Sequence, residues 1–201
     1  MIQQILTDLG YQVFHSVLNS KDFGVPQNRE RVYIVAFRDS VDGSGFSFPA
    51  PTDSTKTLRD ILEGDEVSVK YYLSTVYLET LRRHKERHKA KGHGFGYEIR
   101  SLDGIAGAIV CGGMGRERNL IVDDRLSHFV PVTHIKGEVN RQGIRKLTPR
   151  EWARLQGFPD TFKLILADTH LYKQFGNSVS VPVIKEVAVK IKEILEGVTG
   201  K

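Results

Sequence analysis

The sequence predicts an α/β fold in which a sheet-and-helix domain is interrupted by a small, irregular α+β recognition region. Three observations carry that expectation. Residues 1–47 alternate helix-like and strand-like patterns, residues 48–144 change to a glycine- and charge-rich texture, and regular helical periodicity returns over 145–201.

The elements follow in order. Ile2, Ile5, Leu6 and Leu9 make the i, i+3, i+4, i+7 stripe of a helix, with Gly10 as its C-terminal stop. "YQVFHSVLN" reads as a strand, "SKDFGVPQ" as a loop punctuated by Gly24 and Pro26, and "RVYIVAF" as a β-branched and aromatic strand suited to burial on both faces. Helix, strand, loop, strand at the start of the chain resembles the last section of an α/β sheet whose earlier strands lie elsewhere.

The stretch "GSGFSFPAPTDSTKT" marks a boundary by its Gly, Ser, Pro and Thr content. Beyond it "TLRDIL" is short and helical, and "YLSTVYLETLRRHKERHKAKG" begins with apolar spacing and ends strongly basic. The next section is dense in glycine, with short β-like pieces at Ala108–Cys111 and Leu120–Val122. Such backbone suits a recognition surface more than a packed core. "TPRE" then places Thr148 at an N-cap, Pro149 at the first helical position and Glu151 at the third, a complete capping box. Trp152 and Leu155 form the buried stripe of that helix and Gly157 ends it. The final helix carries Ile184, Val187, Ala188, Ile191, Ile194 and Leu195 on one face.

Bulk composition narrows the function classes. The 201 residues are 40% hydrophobic and 26% charged, as in a folded globular chain, with neither a run of membrane-spanning length nor a signal-like start. The expectation is a cytosolic protein. A net charge of +5 favours a polyanionic partner. The single cysteine, Cys111, has no disulfide partner within the chain and no zinc-like spacing to histidine, and it reads as a small buried residue.

The chemistry concentrates in "DFGVPQNRERVYIVAFR". Gln27, Arg29 and Arg31 alternate, so in a strand they share one face, as a device that holds a planar or anionic ligand would require. A solvated strand edge blunted by arginine accounts for the same spacing. The turn "FGNSV" before the last helix reads as a nest of backbone donors or as a plain capping turn.

Three segments in order carry a family resemblance. "LNSKDFGVPQNRERVYIVAFR" resembles the Gln-x-Arg-x-Arg motif of the C5-cytosine DNA methyltransferases, "RKLTPREWARLQGFPDTF" that family's ninth motif and "YKQFGNSVSVPVIKEVA" its tenth. The gap between the first two matches the family's variable target-recognition region. The glycine-rich cofactor loop, the Pro-Cys nucleophile and the Glu-Asn-Val segment of the family are not among these 201 residues, and Cys111 follows Val110 rather than proline. The chain therefore resembles the C-terminal half of such an enzyme, a part of its Rossmann-like sheet domain plus the recognition domain.

That resemblance implies roles for individual residues. Arg31 would hold the cation that stabilises charge on the flipped cytosine, with Gln27 and Arg29 supporting the pocket. Asn177, Ser178 and Val179 would close one side of the S-adenosylmethionine site, shared with an N-terminal half. Arg116, Glu117, Arg118 and Asn119 in "GGMGRERNL" have the side chains that read base edges, although an exposed charged hairpin tip is the plainer reading. Arg82, Arg83 and Lys85 in the basic run would meet phosphates, or merely solvate a helix. Arg145, Arg150 and Arg154 of the ninth motif could meet phosphates or carboxylates, though the segment itself reads as bracing the recognition region. Ala108-Ile109 stands where the family usually has Thr followed by Leu or Ile, which removes a hydroxyl.

The expected partners are double-stranded DNA and an N-terminal catalytic half, with self-association through the exposed half-sheet as a further expectation. Without the nucleophile the chain is expected to be inactive by itself. The rival reading is a stand-alone sequence-specific DNA-binding module or remnant, and a basic RNA-binding protein is a more distant one.

Overall fold

Hydrogen bonding divides the strands of the computed structural model into three pairs, each two strands wide. The structure describes residues 2–52, 55–94, 96–112, 115–129 and 137–199. After α1 (Ile2–Asp8), β1 (Tyr11–Asn19) pairs antiparallel with β3 (Glu30–Arg38), with Val17 opposite Val32 and His15 opposite Ile34. Between them the short β2 (Gln27–Asn28) pairs in parallel with β4 (Ala106–Gly107). β5 (Leu120–Val122) and β6 (Ile144–Lys146) form the third, antiparallel pair. The helices are α2 (Thr75–Ala90), α3 (Pro149–Leu155), α4 (Asp168–Asn177) and α5 (Val181–Thr199). None of the described helices is long and apolar enough to cross a membrane.

The β1–β3 ribbon has one covered face. Phe14, Leu18, Val35 and Phe37 pack on Val183 and Val187 of α5, with Ile191 and Ile194 continuing the contact. The docked face of α5 thus starts at Val183, while Ile184 and Leu195, placed on that face from sequence, are exposed. The opposite face of the ribbon carries Val17 and Val32 at 60% and 62% exposure, beside Ile34. The expectation that "RVYIVAF" is buried on both faces is corrected: no second layer covers it among the described residues. The stripe on α1 is likewise open at Ile2, Ile5 and Leu9. Among the described residues, both outer edges of the ribbon also lack a paired strand.

The largest core lies under α3 and α4. Trp152 and Leu155 pack with Leu171 and Phe175, and also with Leu58, Ile61, Ala106 and Ile109 from the glycine-rich region. The change of texture near residue 144 is therefore not a break in packing. "TLRDIL" forms only a 3-10 turn, Leu58–Ile61, whereas α2 begins at an N-cap where Ser74 accepts from the Tyr77 amide at 3.1 Å. The strand expected at Ala108–Cys111 sits two residues earlier, at β4, because β2 offers its short edge to Ala106 and Gly107.

The capping box of α3 is present, with the Glu151 amide donating to Thr148 Oγ1 at 3.2 Å and the Thr148 amide to Glu151 Oε2 at 2.8 Å. Glu151 has a second task. Arg145, wholly buried, forks onto its two carboxylate oxygens at 2.7 and 2.8 Å and donates through Nε to Asp123 Oδ2 at 2.7 Å. Of the two kinds of partner expected for Arg145, phosphates or carboxylates, the structure shows carboxylates. Arg154 likewise turns inward, to Asp160 and to the Ile61 and Leu62 carbonyls, and Arg150 donates to the Phe162 carbonyl. The segment clamps the glycine-rich region from β5 to the 3-10 turn. Gly157 ends α3 with φ 78°, and a Cβ there would lie 2.3 Å from Pro182 Cδ, so only glycine lets α5 start so close.

Burial alone pushes the Asp123 carboxyl up, but hydrogen bonds from Arg125 and Arg145 overcome this and hold it well below the usual carboxylate range. A depressed folded-state pKa stabilises the fold above the ordinary carboxylate value, and this contribution disappears as the pH falls through the folded value. Asp123→Asn should therefore lose about 3 kcal/mol near neutral pH, because Arg125 and Arg145 are then left with the Glu151 carboxylate as the one remaining acid of the buried network. In urea melts the gap to the parent should hold down to about pH 4 and shrink below it. A gap independent of pH would contradict this account.

Candidate functional site

The alternating trio at the end of the ribbon does not act as one surface. Gln27 is fully buried, and its amide bridges two segments: Nε2 donates to the Leu155 carbonyl at 2.8 Å and Oε1 accepts from the Ile109 amide at 3.0 Å. Arg29 is buried beside it. Its Nη1 donates to the Ile109 carbonyl at 2.6 Å, and its Nη2 to the carbonyls of Gly176 and Ser178 at 3.2 and 3.0 Å. Arg31 alone is exposed, with Nη1 donating to the Glu30 carbonyl at 2.6 Å. Burial, and next the neighbouring Arg31 charge, lower the pKa of Arg29. Gln27 and Arg29 turn inward instead of sharing an open face with Arg31: the Gln27 amide and both Arg29 Nη atoms donate to backbone carbonyls, while Arg29 Nε is buried without a partner among the described residues.

This explains why Ala108–Val110 has no strand partner. Ile109 has both its backbone groups satisfied by side chains, the amide by Gln27 and the carbonyl by Arg29. A buried backbone group must be paired, and here side chains take the place of a ladder. The same two residues reach Leu155 at the end of α3 and the turn between α4 and α5.

That turn brings the other expected residues to the same place. Asn177 ends α4, Ser178 is its C-cap, and Val179 is exposed. Ser178 does not project a free hydroxyl: its Oγ donates to the Phe175 carbonyl at 2.9 Å and its carbonyl accepts from Arg29. Asn177 Oδ1 accepts from the Cys111 thiol at 2.7 Å. Cys111 is exposed, which corrects the expectation of a small buried residue; Gly112 beside it is exposed as well. Close approach of the two segments depends on Gly176, where a Cβ would lie 2.6 Å from the Cys111 amide nitrogen. A glycine inside α4 is the signal that could have announced this contact.

The recognition candidates divide in two. Gly115–Asn119 forms a 3-10 turn, and Gly113 and Met114 lie outside the described residues. Glu117 is buried and accepts from the Tyr77 hydroxyl at 3.1 Å and from Lys146 at 3.2 Å. Asn119 is buried and its amide closes both ways on Gly107, at 2.7 and 3.1 Å. Both are buried and held by these contacts, so neither stands at the surface as the reading of base edges expects. Arg116 and Arg118 reach the surface, and Arg116 lies over the Tyr172 ring at 5.4 Å. In the basic run Arg82 donates to Gln142 at 2.9 Å, Arg83 pairs with Glu79 at 3.3 Å and Lys85 donates to the Tyr97 carbonyl at 3.0 Å. These are exposed, weakly held cations that can exchange partners.

If Arg29 is the tie between these segments, Arg29→Ala should cost about 3 kcal/mol in a urea melt, because buried carbonyls lose their donors. Arg29→Lys, with one nitrogen in place of a fork, should recover less than half of that. A loss below about 0.5 kcal/mol, the size of an ordinary surface change, would remove the clamp from the account.

Comparison with known proteins gives this constellation a family. Residues 1–193 match the family model for C-5 cytosine-specific DNA methylase. The chain is 61% identical over 189 residues to the type II methyltransferase M.HpaII of Haemophilus parainfluenzae, covering 94% of this chain and 53% of that protein. It is 37% identical to the type II methyltransferase M.NlaX of Neisseria lactamica, covering all of this chain and 59% of the relative. The chain thus spans about half the length of the curated relatives it matches. Among solved structures it resembles the Entamoeba histolytica methyltransferase EhMeth, with a TM-score of 0.71 over 96% of this chain and 57% of that one. The S. pombe Dnmt2 methyltransferase follows, with a TM-score of 0.66 over 98% and 61%. At 20% identity each, these two establish a methyltransferase fold. With almost all of its length matched, the chain belongs to the C-5 cytosine-specific DNA methylase family.

Proposed function

We propose that this chain is the base-pocket and DNA-recognition half of a DNA (cytosine-5-)-methyltransferase, acting on double-stranded DNA together with an N-terminal half that bears the Pro-Cys nucleophile. The carrying observation is the division of labour at the ribbon's end: the Gln27 amide and the Arg29 Nη atoms donate to backbone carbonyls, and the cation of Arg31 is left facing solvent beside them.

Cytosine C5 is a weak nucleophile until a thiolate adds at C6, and this addition builds negative charge on the ring. A fixed cation near the ring oxygen stabilises that charge more than it stabilises the ground state. Arg31 fills this role. It rises from the strand end that Gln27 and Arg29 anchor, so its backbone has little freedom to retreat. S-adenosylmethionine, when bound, supplies the electrophilic methyl group. The turn after α4 fits one wall of its site: Val179 offers exposed apolar surface, and Asn177 offers a side-chain amide nitrogen that has no acceptor among the described residues. Ser178 contributes through its backbone, not its hydroxyl. Arg82, Arg83, Lys85, Arg116 and Arg118 supply exposed positive charge for phosphates.

The second half has a place to dock. Val17, Val32 and Ile34 form an apolar face on the ribbon, whose outer edges have no strand partner among the described residues, and α1 adds exposed apolar residues of its own. Such a face is covered in a stable assembly, by the complementing half or by self-association.

The test is complementation. The chain alone should transfer no labelled methyl group from S-adenosylmethionine to duplex DNA, and should do so when co-purified with a Pro-Cys-bearing half. In the reconstituted enzyme Arg31→Ala should lower kcat about 100-fold or more with little effect on duplex affinity. Robust transfer by the chain alone would overturn the half-enzyme reading. Binding of one duplex sequence with no transfer under any complementation would instead support a stand-alone DNA-binding module.

A further inference from the structure

Between the recognition turn and α4 lies a cavity of about 420 Å³ that the reading above leaves unassigned. Its volume is in the range of small-molecule sites. Trp152 and Tyr172 line it, edge to face with ring centroids 4.8 Å apart, and Val110 and Cys111 add a further wall. Arg116 lies over the Tyr172 ring, with Lys173 and the exposed Thr169 at the rim.

The charge balance of this cavity is uneven. Among the described residues neither Arg116 nor Lys173 pairs with a carboxylate. The acids nearest in sequence are engaged elsewhere, Glu117 with Lys146 and Tyr77, and Asp168 with Lys70 and Tyr71. An aromatic, partly apolar cleft with two uncompensated cations suits a ligand that joins a flat ring to an anion. A planar guanidinium already layered on tyrosine presents its outer face for a further ring.

We propose that this cavity accepts a single nucleotide of the bound DNA, its base stacked on the Arg116–Tyr172 layer and its phosphate held by Lys173. This deepens, and rests on, the DNA reading above. Arg31 does not line the cavity, so the nucleotide is a different one from the target cytosine. S-adenosylmethionine fits less well, because beside its carboxylate it would bring a sulfonium and an ammonium toward two cations, for a net positive charge.

Trp152 is the chain's single tryptophan, so its fluorescence reports on this cavity. Titration of the purified chain with deoxynucleoside 5′-monophosphates should give a saturable change, and the matching deoxynucleosides should need about tenfold higher concentration. Arg116→Ala should weaken the response about tenfold. Thr169→Phe, a change at an exposed rim position that fills the mouth without touching the core, should abolish it. Circular dichroism and urea midpoints check that both variants fold. A short duplex with one extrahelical base should displace the monophosphate; failure to displace it would overturn the assignment to DNA. An equal response to inorganic phosphate, a tighter one to S-adenosylmethionine, or none to nucleotide would each overturn the proposal. The titration reads no methyl transfer, so its failure leaves the half-enzyme reading standing, and failed complementation leaves this result standing.

Discussion

Two buried side chains, Gln27 and Arg29, carry the constraint on which the rest of this structure depends. Each backbone group taken out of water needs a partner, and the segments that meet at the centre of the molecule are irregular. Ile109 lies outside β4, Leu155 ends a helix, and Gly176 and Ser178 flank a turn. No ladder or helix can satisfy them together. An amide, which donates and accepts, and a guanidinium, which donates along several directions, can. The hydrogen bonds from Gln27 and Arg29 join the ribbon, the glycine-rich region and the turn before α5 into one body. Arg31 is then set on a rigid base.

A second buried polar network supports the first from behind. Arg145 joins β6, the stretch after β5 and the start of α3 through Asp123 and Glu151. Glu151 also caps α3 and accepts from the Glu63 amide at 3.2 Å. Such a network adds less net stability than an apolar core of the same volume would, but it tolerates few alternative arrangements. It suits a region whose glycine-rich backbone otherwise has many conformations to choose from.

The sequence made the regular elements legible and the roles of polar residues much less so. The span of β1, the capping box at Thr148 and the N-terminal stripe are short-range patterns, and they appear as read. Whether the N-terminal stripe and the β3 run are covered depends on a layer that these residues do not supply, so periodicity overstated their burial. The Gln-x-Arg-x-Arg alternation predicted one shared face, but burial splits it, and burial is set by Ile109 and Ser178, which lie 80 or more residues away. Glu117 and Asn119 misled for the same reason: side chains that read bases in a groove are also those that satisfy a buried turn. Cys111 is exposed, with its backbone close against Gly176 of α4, a contact across 65 residues that local spacing cannot show.

The clamp is tested most directly by amide hydrogen exchange at Ile109. In the parent chain this amide should be protected to nearly the same degree as the central amides of the β1–β3 ribbon. In Gln27→Leu, which keeps much of the volume and removes the acceptor, protection at Ile109 should fall by about 100-fold while the ribbon stays protected. An Ile109 amide that exchanges equally slowly in both proteins would contradict the claim that this side chain holds the glycine-rich region in place.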